Sequence, residues 1–306
     1  MIKAPFDVVV IGNVGIDTNV YLDGQDIDFD IEGNFTHNLD YVGQAGGYAS
    51  RGYARLGKHT AFIGCVGEDY SGRFIRETFA SDDINIEGMF LDPQGTSRSV
   101  NLMDRDGRRR NFYDGKGHMT LNPPLEKCEQ ILQGAKLAHF NIPNWARQLL
   151  PLAHAHGVSI AVDLQDVVDI NDPYRQDFIN AADILFFSAV NQADPQQITT
   201  QLLLRRPELV VVAGMGVQGC LLGTAAGGVQ QFPAFEMESP VIDTNGAGDS
   251  LAVGFLVSRV LEGRSLEESI RRGQIAARHC CAQKASTDTL IDHAALNQLM
   301  EKSTIR

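Results

Sequence analysis

The residues with the clearest chemistry form one run, Asp243-Thr244-Asn245-Gly246-Ala247-Gly248-Asp249. An apolar, small-residue segment from Leu251 to Val257 follows and reads as a buried helix. Glycines let backbone N–H groups converge without a Cβ in the way. A helix that starts there aims unpaired N–H groups and the positive end of its dipole at whatever lies above. Phosphate or an oxyanion suits such a place. Asp249 puts a carboxylate there, where a phosphate would repel it. Its economical role is to take a proton from a hydroxyl that attacks the phosphate. A capped turn ahead of a core helix is the plainer alternative. The full run, with Asp and Thr before it and a helix after it, favours phosphoryl transfer.

Other residues could join this chemistry. Asp17 closes Gly12-Asn13-Val14-Gly15-Ile16-Asp17, either as a solvated turn residue or as an acceptor for substrate hydroxyls. Gly46-Gly47, within Gly43-Gln44-Ala45-Gly46-Gly47-Tyr48, allows close backbone approach or hinge motion at a helix start. Gly216-Val217-Gln218-Gly219 lies between two apolar runs, as a hairpin turn or as a flat wall against a nucleotide. Arg108-Arg109-Arg110 is a basic run that reads as a solvated turn or as a contact for a substrate phosphate. His118, His139 and Trp145 read as structural, with Trp145 packing in the core.

These residues must be positioned by elements. Continuous apolar runs at 8–12, 59–67, 137–140, 159–163, 184–187 and 209–213 read as buried parallel strands. Helical patterns lie between them, at 49–56, 71–81, 145–156 and 173–182. The alternation predicts a doubly wound, mostly parallel α/β sheet flanked by helices, with ligands beyond the carboxyl ends of the strands. Two segments break the rhythm, at about 18–42 and about 96–115. Both alternate polar and apolar residues, and the second reads as a hairpin turning at Asp104-Arg105-Asp106-Gly107. They predict a small β-sheet lid. A capping-box sequence, Ser265-Leu266-Glu267-Glu268, starts a helix near the end.

The 306 residues carry a net charge of −12. That acidity argues against a nucleic-acid surface but not against nucleotide binding, since a nest of N–H groups overrides net charge locally. The five cysteines show neither zinc-site spacing nor a disulfide framework. Met1-Ile2-Lys3-Ala4-Pro5 has no signal-peptide core, and no apolar stretch is long enough to span a bilayer. A cytoplasmic protein without membrane partners is the expectation.

The order of these features, Asp17, Gly46-Gly47, hairpin, Gly216–Gly219, then Asp243–Asp249, resembles the ribokinase-like (PfkB) family of carbohydrate and nucleoside kinases over nearly the whole chain, 1–306 as one domain. The Asp243–Asp249 run matches that family's C-terminal signature. Gly46-Gly47 with Ala54-Arg55-Leu56-Gly57 resembles its N-terminal one. Gly216 and Gly219 match its nucleotide turn. The resemblance implies Asp249 as general base and Asn245, Gly246, Ala247 and Gly248 as the anion hole. It implies Asp17 and Gly46-Gly47 as sugar contacts and Gly216 and Gly219 beside ATP, with Asn245, Gly246 and Gly248 against its phosphates. ATP with Mg²⁺ is the implied cofactor, and Asp243 marks the neighbourhood of a monovalent cation, K⁺, found in some members. A homodimer through the lid is a further expectation.

The chain also departs from the family's pattern. Tyr48-Ala49-Ser50-Arg51 occupies the region where an Asn usually follows Gly-Gly. Asp163-Leu164-Gln165-Asp166 replaces Asp-Pro-Asn-x-Arg, and Gly214 stands where a Thr usually precedes the turn. Around Ser188-Ala189-Val190-Asn191 the family's Asn-x-x-Glu is displaced, with Asn191-Gln192-Ala193-Asp194 as its candidate replacement. A nucleoside kinase, and a sugar- or nucleotide-binding regulatory protein with weakened catalysis, are the alternative readings.

Overall fold

A computed structural model describes residues 6–24, 27–104, 109–167 and 169–304. In chain order the strands and helices are β1 (Val8–Ile11), β2 (Gly15–Leu22), β3 (Thr36–Gly43), α1 (Gln44–Arg55), β4 (Thr60–Val66), α2 (Tyr70–Ser81), β5 (Asn85–Leu91), β6 (Arg98–Met103), β7 (Arg109–Asp114), α3 (Leu125–Leu132), β8 (Leu137–Phe140), α4 (Leu150–Ala155), β9 (Ser159–Asp166), α5 (Gln176–Ala181), β10 (Ile184–Ser188), α6 (Pro195–Arg205), β11 (Val210–Gly214), β12 (Cys220–Thr224), β13 (Gly228–Phe232), α7 (Ala247–Leu256), α8 (Leu266–Cys281) and α9 (His293–Thr304).

Nine strands form one sheet in the order β13-β12-β11-β10-β9-β8-β1-β4-β5. β12 pairs antiparallel with both β11 and β13, and the other pairings are parallel. β1, with all four residues buried, sits between β4 and β8, so the winding direction reverses there. A reversal leaves a crevice beyond the strand ends, where ligands of such sheets bind. The two faces follow the period-2 alternation of β1. Val9 and Ile11 join a core with Trp145, Phe178 and Leu202 from the α3–α6 side. Val8 and Val10 join one with Tyr53, Phe79, Leu251 and Phe255 from the side of α1, α2 and α7. The doubly wound expectation is met, and Trp145 is fully buried in the first of these cores.

The second sheet has the order β3-β2-β6-β7, the small sheet expected from the two alternating segments. β2 pairs antiparallel with β3 and parallel with β6, and β7 closes the hairpin on β6. The turn residues 105–107 lie outside the described residues. β2 starts at Gly15, ahead of the expected boundary, so Asp17 sits on a lid strand rather than in a turn. All six residues of β7 are exposed along the sheet's free edge, the feature that pairing with a second copy would need.

Two elements differ from the periodicity. α1 starts at Gln44 instead of Ala49, so Gly46 and Gly47 lie inside its first turn. Low glycine propensity hides this start. Gly46 N donates to Asn13 O at 2.8 Å, and a Cβ on Gly46 would lie 2.4 Å from that oxygen. β5 is an edge strand interrupted by Glu87 and Gly88, so its apolar pattern is weak. Ser265 caps α8 as its sequence indicates, accepting from Glu268 N at 3.1 Å. The five cysteines are free and buried. Among the described residues no helix is long and apolar enough to cross a membrane.

Candidate active site

The Asp243–Asp249 run lies where the main sheet meets the lid. Gly246 is the N-cap of α7 at φ 74°, a left-handed conformation that glycine adopts freely. α7 is buried from Ser250 to Leu256. It packs so closely on α8 that a Cβ on Gly254 would lie 2.9 Å from Gly273 Cα. The helix start is therefore fixed from below, while the Cβ position of Gly248 faces open space.

Asp243 braces the loop. Its Oδ1 accepts from Asn245 N at 2.8 Å. Its Oδ2 accepts from Tyr21 Oη at 2.6 Å and Asn19 Nδ2 at 3.1 Å, both on β2, and from Ala285 N at 3.3 Å. Asn245 is also held by Cys280, whose Sγ donates to its carbonyl at 3.2 Å. Tyr48 does not face a substrate position. Its ring lies against Gly246, so that a Cβ there would come within 2.1 Å of the ring, and its hydroxyl donates to Tyr41 Oη at 3.1 Å. Tyr48 thus packs under the glycine loop that opens α7.

Asp17, on β2, is 6% exposed. Its Oδ2 accepts from Gln44 N at 3.1 Å, at the start of α1, where Gln44 adopts φ 60°. Its Oδ1 is buried without a protein partner. Burial pushes the Asp17 carboxyl up to about 6, against the Gln44 N–H, the Ser99 and Tyr41 hydroxyls and the Arg109 charge, which pull it down. Asn141, just past β8 at the winding reversal, is also buried, with both side-chain polar atoms unpartnered. It packs on Gly12, where a Cβ would fall 2.0 Å from its Oδ1. Sequence reasoning missed Asn141, since a lone Asn after a strand carries no signal.

The Asp249 carboxyl lies well above the ordinary carboxylate range. Burial is the main cause, then the negative charges of Asp163 and Asp17, with Arg109 opposing. Asp163, on β9, is raised by burial and restrained by Gln165 N, which donates to its Oδ1 at 2.8 Å. Arg109, on β7, donates from Nη1 to Asn245 Oδ1. Asp17, Asp249, Asn245 and Arg109 are thus brought together. Of the basic run, Arg108 lies outside the described residues, and Arg110 pairs with Leu102 in the hairpin register.

Gly216 and Gly219 form the turn of the β11–β12 hairpin, with φ 58° and 91°. A Cβ on Gly219 would lie 2.0 Å from Phe232 O, so packing alone demands that glycine. Beside Gly216 stand two exposed apolar side chains, Val190 and Val217. Gly47 has ordinary space at its Cβ, with Val14 and Val42 3.6 Å away. Asn191 Nδ2 donates to Asp166 Oδ2 at 3.2 Å, and Asp194 caps α6 by accepting from Gln197 N. His139 is fully buried against Tyr53 and does not reach the cleft.

A doubly wound sheet with a four-stranded β cover and a glycine-rich loop opening a buried helix defines a ribokinase-like phosphotransferase. The chain belongs to the pfkB family of carbohydrate kinases, whose family model matches residues 6–293. It is 28% identical over 292 residues to an acarbose 7(IV)-phosphotransferase of Actinoplanes sp., covering 95% of this chain and 97% of that one. It is 25% identical to a 5-dehydro-2-deoxygluconokinase of Listeria monocytogenes, covering 93% of each. Its fold superposes on a microbiome-derived acarbose kinase with TM-score 0.88 and 27% identity, covering 97% of this chain and 99% of the other. The Arabidopsis thaliana ribokinase complexed with ribose and ATP shares the fold at TM-score 0.81 and 22% identity, over 97% and 99% of the two chains.

Proposed function

We propose that this chain transfers the γ-phosphoryl group of ATP to a hydroxyl of a sugar or sugar-like molecule, with Asp249 as general base. The observation that carries the reading is a glycine loop with open space that starts α7 and sets Asp249 in its first turn, within electrostatic reach of buried Asp17. Buried polar atoms are nearly always satisfied in folded proteins. Asp17 Oδ1 and both polar atoms of Asn141 lack protein partners at the carboxyl edge of the sheet. A polyhydroxyl acceptor, which donates and accepts, suits that set.

Asp17 and Asn141 orient the acceptor, and closure of the lid over the crevice excludes water. Asp249 takes the hydroxyl proton as the oxygen attacks the γ-phosphorus. The bond to the ADP oxygen breaks, and the N–H groups of Gly246, Ala247 and Gly248 stabilise the developing charge. Exposed Val217, within the Gly216–Gly219 turn, and Val190, beside it, offer the apolar surface where the adenine would lie. Among the described residues no three acidic, His or Cys side chains form a metal cluster. Asp166 at the end of β9 and Asn191 past β10, joined by a hydrogen bond at 3.2 Å, would hold through water a Mg²⁺ that arrives on ATP, and such an ion would supply charge neutralisation on the phosphates. Incubation with Mg-ATP and a panel of monosaccharides, pseudo-oligosaccharides and nucleosides tests the reading by ADP release. No acceptor-dependent ADP would sink it, and turnover with nucleosides alone would move the assignment to a nucleoside kinase.

Asp17→Asn should raise the acceptor KM by about 10- to 150-fold, since a charged hydrogen bond contributes roughly 1.5–3 kcal/mol. The variant should not melt lower than wild type at pH 8. The Asp17 carboxyl sits near 6 in the fold against an ordinary 3.8, so its contribution to stability is present below 3.8 and lost as pH rises through 6. An unchanged KM would remove Asp17 from acceptor binding.

The cation expectation at Asp243 does not fit its contacts. Its carboxylate already accepts from Asn19, Tyr21, Asn245 and Ala285, and the Lys284 ammonium stands 4.8 Å over the Tyr21 ring. Turnover in K⁺ and in tetramethylammonium should agree within about twofold, a difference of roughly 0.4 kcal/mol. A tenfold stimulation by K⁺ would overturn this.

A further inference from the structure

Arg109 occupies an unusual position. β7 is the outermost strand of the lid, yet its first residue reaches across to the anion loop and donates to the Asn245 side chain. The same guanidinium lowers the carboxyls of Asp17 and Asp249, on two other elements. Among the described residues it makes no ion pair within 4 Å and donates to a neutral amide. A guanidinium has five N–H donors in a planar fork that matches phosphate geometry. Most of that capacity is unspent, at the edge of the glycine loop that opens α7.

The strand that delivers it is held in register by a row of amides. Asn19, Asn101 and Asn111 stand directly opposite one another on β2, β6 and β7. Asn111 Nδ2 donates to Asn101 Oδ1 at 2.9 Å, and Asn101 Nδ2 to Asn19 Oδ1 at 2.9 Å. Asn19 Nδ2 then donates to Asp243, whose other oxygen holds the Asn245 backbone. Side chains two apart on a strand share a face, so the row that ends at Asn111 also aims Arg109. The lid strand is thereby locked to the loop twice, through Asp243 and through Asn245.

Resting on the kinase reading above, we propose that Arg109 is a catalytic residue that donates to the transferring phosphoryl group, with Asn245 as its resting partner. As the acceptor oxygen–phosphorus bond forms and the bond to ADP breaks, Asp249 takes up the proton and negative charge develops on the phosphoryl oxygens and the leaving ADP oxygen. Arg109 is the cation placed to offset it, and only the seated lid brings it there. Group transfer then depends on lid position without any further switch.

The test uses the full-length enzyme as wild type, Arg109→Ala and Arg109→Lys, each checked by thermal melting, with kcat and both KM values measured. The expected result is a fall in kcat of about 100-fold or more for Arg109→Ala. KM for ATP should stay within about threefold, and added guanidinium should restore at least about tenfold in that variant. Arg109→Lys should keep the charge but lose the fork, with kcat down about tenfold and no rescue. A kcat within threefold of wild type in Arg109→Ala, a loss confined to KM, or a folded variant that guanidinium does not rescue would each overturn the proposal. If Arg109→Ala does not fold, the Arg109→Lys kcat decides alone. An active wild type with an equally active Arg109→Ala sinks only this role, whereas an inactive wild type sinks the kinase reading.

Discussion

Asp249→Asn is expected to lower kcat by about 10³-fold, while ATP and acceptor still bind. A positioned general base contributes roughly 10²–10⁴-fold, and the amide keeps the shape of the carboxyl without its proton affinity. The pH profile supplies a second readout. Burial and the charges of Asp163 and Asp17 hold the Asp249 carboxyl well above its ordinary range, and the base works only when ionised. The wild-type kcat/KM should therefore fall on the acid side at a pH higher than an unperturbed carboxylate would give. In the variant the part of that limb set by Asp249 should vanish, leaving only the rise in acceptor KM as Asp17 protonates near 6. Stability moves the other way. A carboxyl raised in the fold favours folding when protonated, so ionised Asp249 weakens the fold as pH rises through its folded pKa. Asp249→Asn should melt at or above the wild-type temperature at pH 8. Activity within tenfold of wild type, measured by ADP release beside calorimetric ATP binding, would remove Asp249 from the base role.

The parts of this site that could be read from the sequence are those whose reason is local. Gly246 is conspicuous because a left-handed N-cap needs glycine, and the apolar run after it declares a buried helix. β1 shows itself as four apolar residues because both of its faces are covered. Asp17 was legible as a carboxylate near the sheet's mouth but not as a lid-strand residue, because Gly15-Ile16 gives no sign that pairing has begun. What stayed hidden depends on contacts between distant segments. Asn19, Asn101 and Asn111 look like the solvated face of alternating strands until register puts them in one row. Tyr48 looks like the loss of a substrate contact until the fold sets its ring against Gly246. Arg109 is one residue of a basic run, and only the antiparallel return of β7 separates it from its neighbours.

That contact between Tyr48 and Gly246 makes Gly246→Ala the second large effect expected. Alanine at φ 74° costs roughly 1–2 kcal/mol for the left-handed backbone alone. The added methyl would also lie 2.1 Å from the Tyr48 ring, closer than any real contact. The ring has little room to yield. It is 4% exposed, its hydroxyl donates to Tyr41, and Tyr41 Oη is 3.4 Å from Asn19 Oδ1 in the row that braces Asp243. The loop must move instead, and a shift of about 1 Å in a phosphoryl site costs about 10²-fold in rate. Gly246→Ala should therefore lose about 100-fold in kcat and melt several degrees lower. Gly248→Ala is the contrast within the same loop, because its Cβ position faces open space. It should melt as wild type does, so any activity it loses comes from crowding the bound phosphates and not from a displaced loop. Adding Tyr48→Ala to Gly246→Ala separates the two costs, since it relieves the clash but leaves the backbone strain. The emptied Tyr48 site costs about 3–5 kcal/mol of its own, so partial recovery of kcat without recovery of melting temperature is the expected outcome in the double variant. If Gly246→Ala alone keeps wild-type stability and rate, Tyr48 does not support the anion loop.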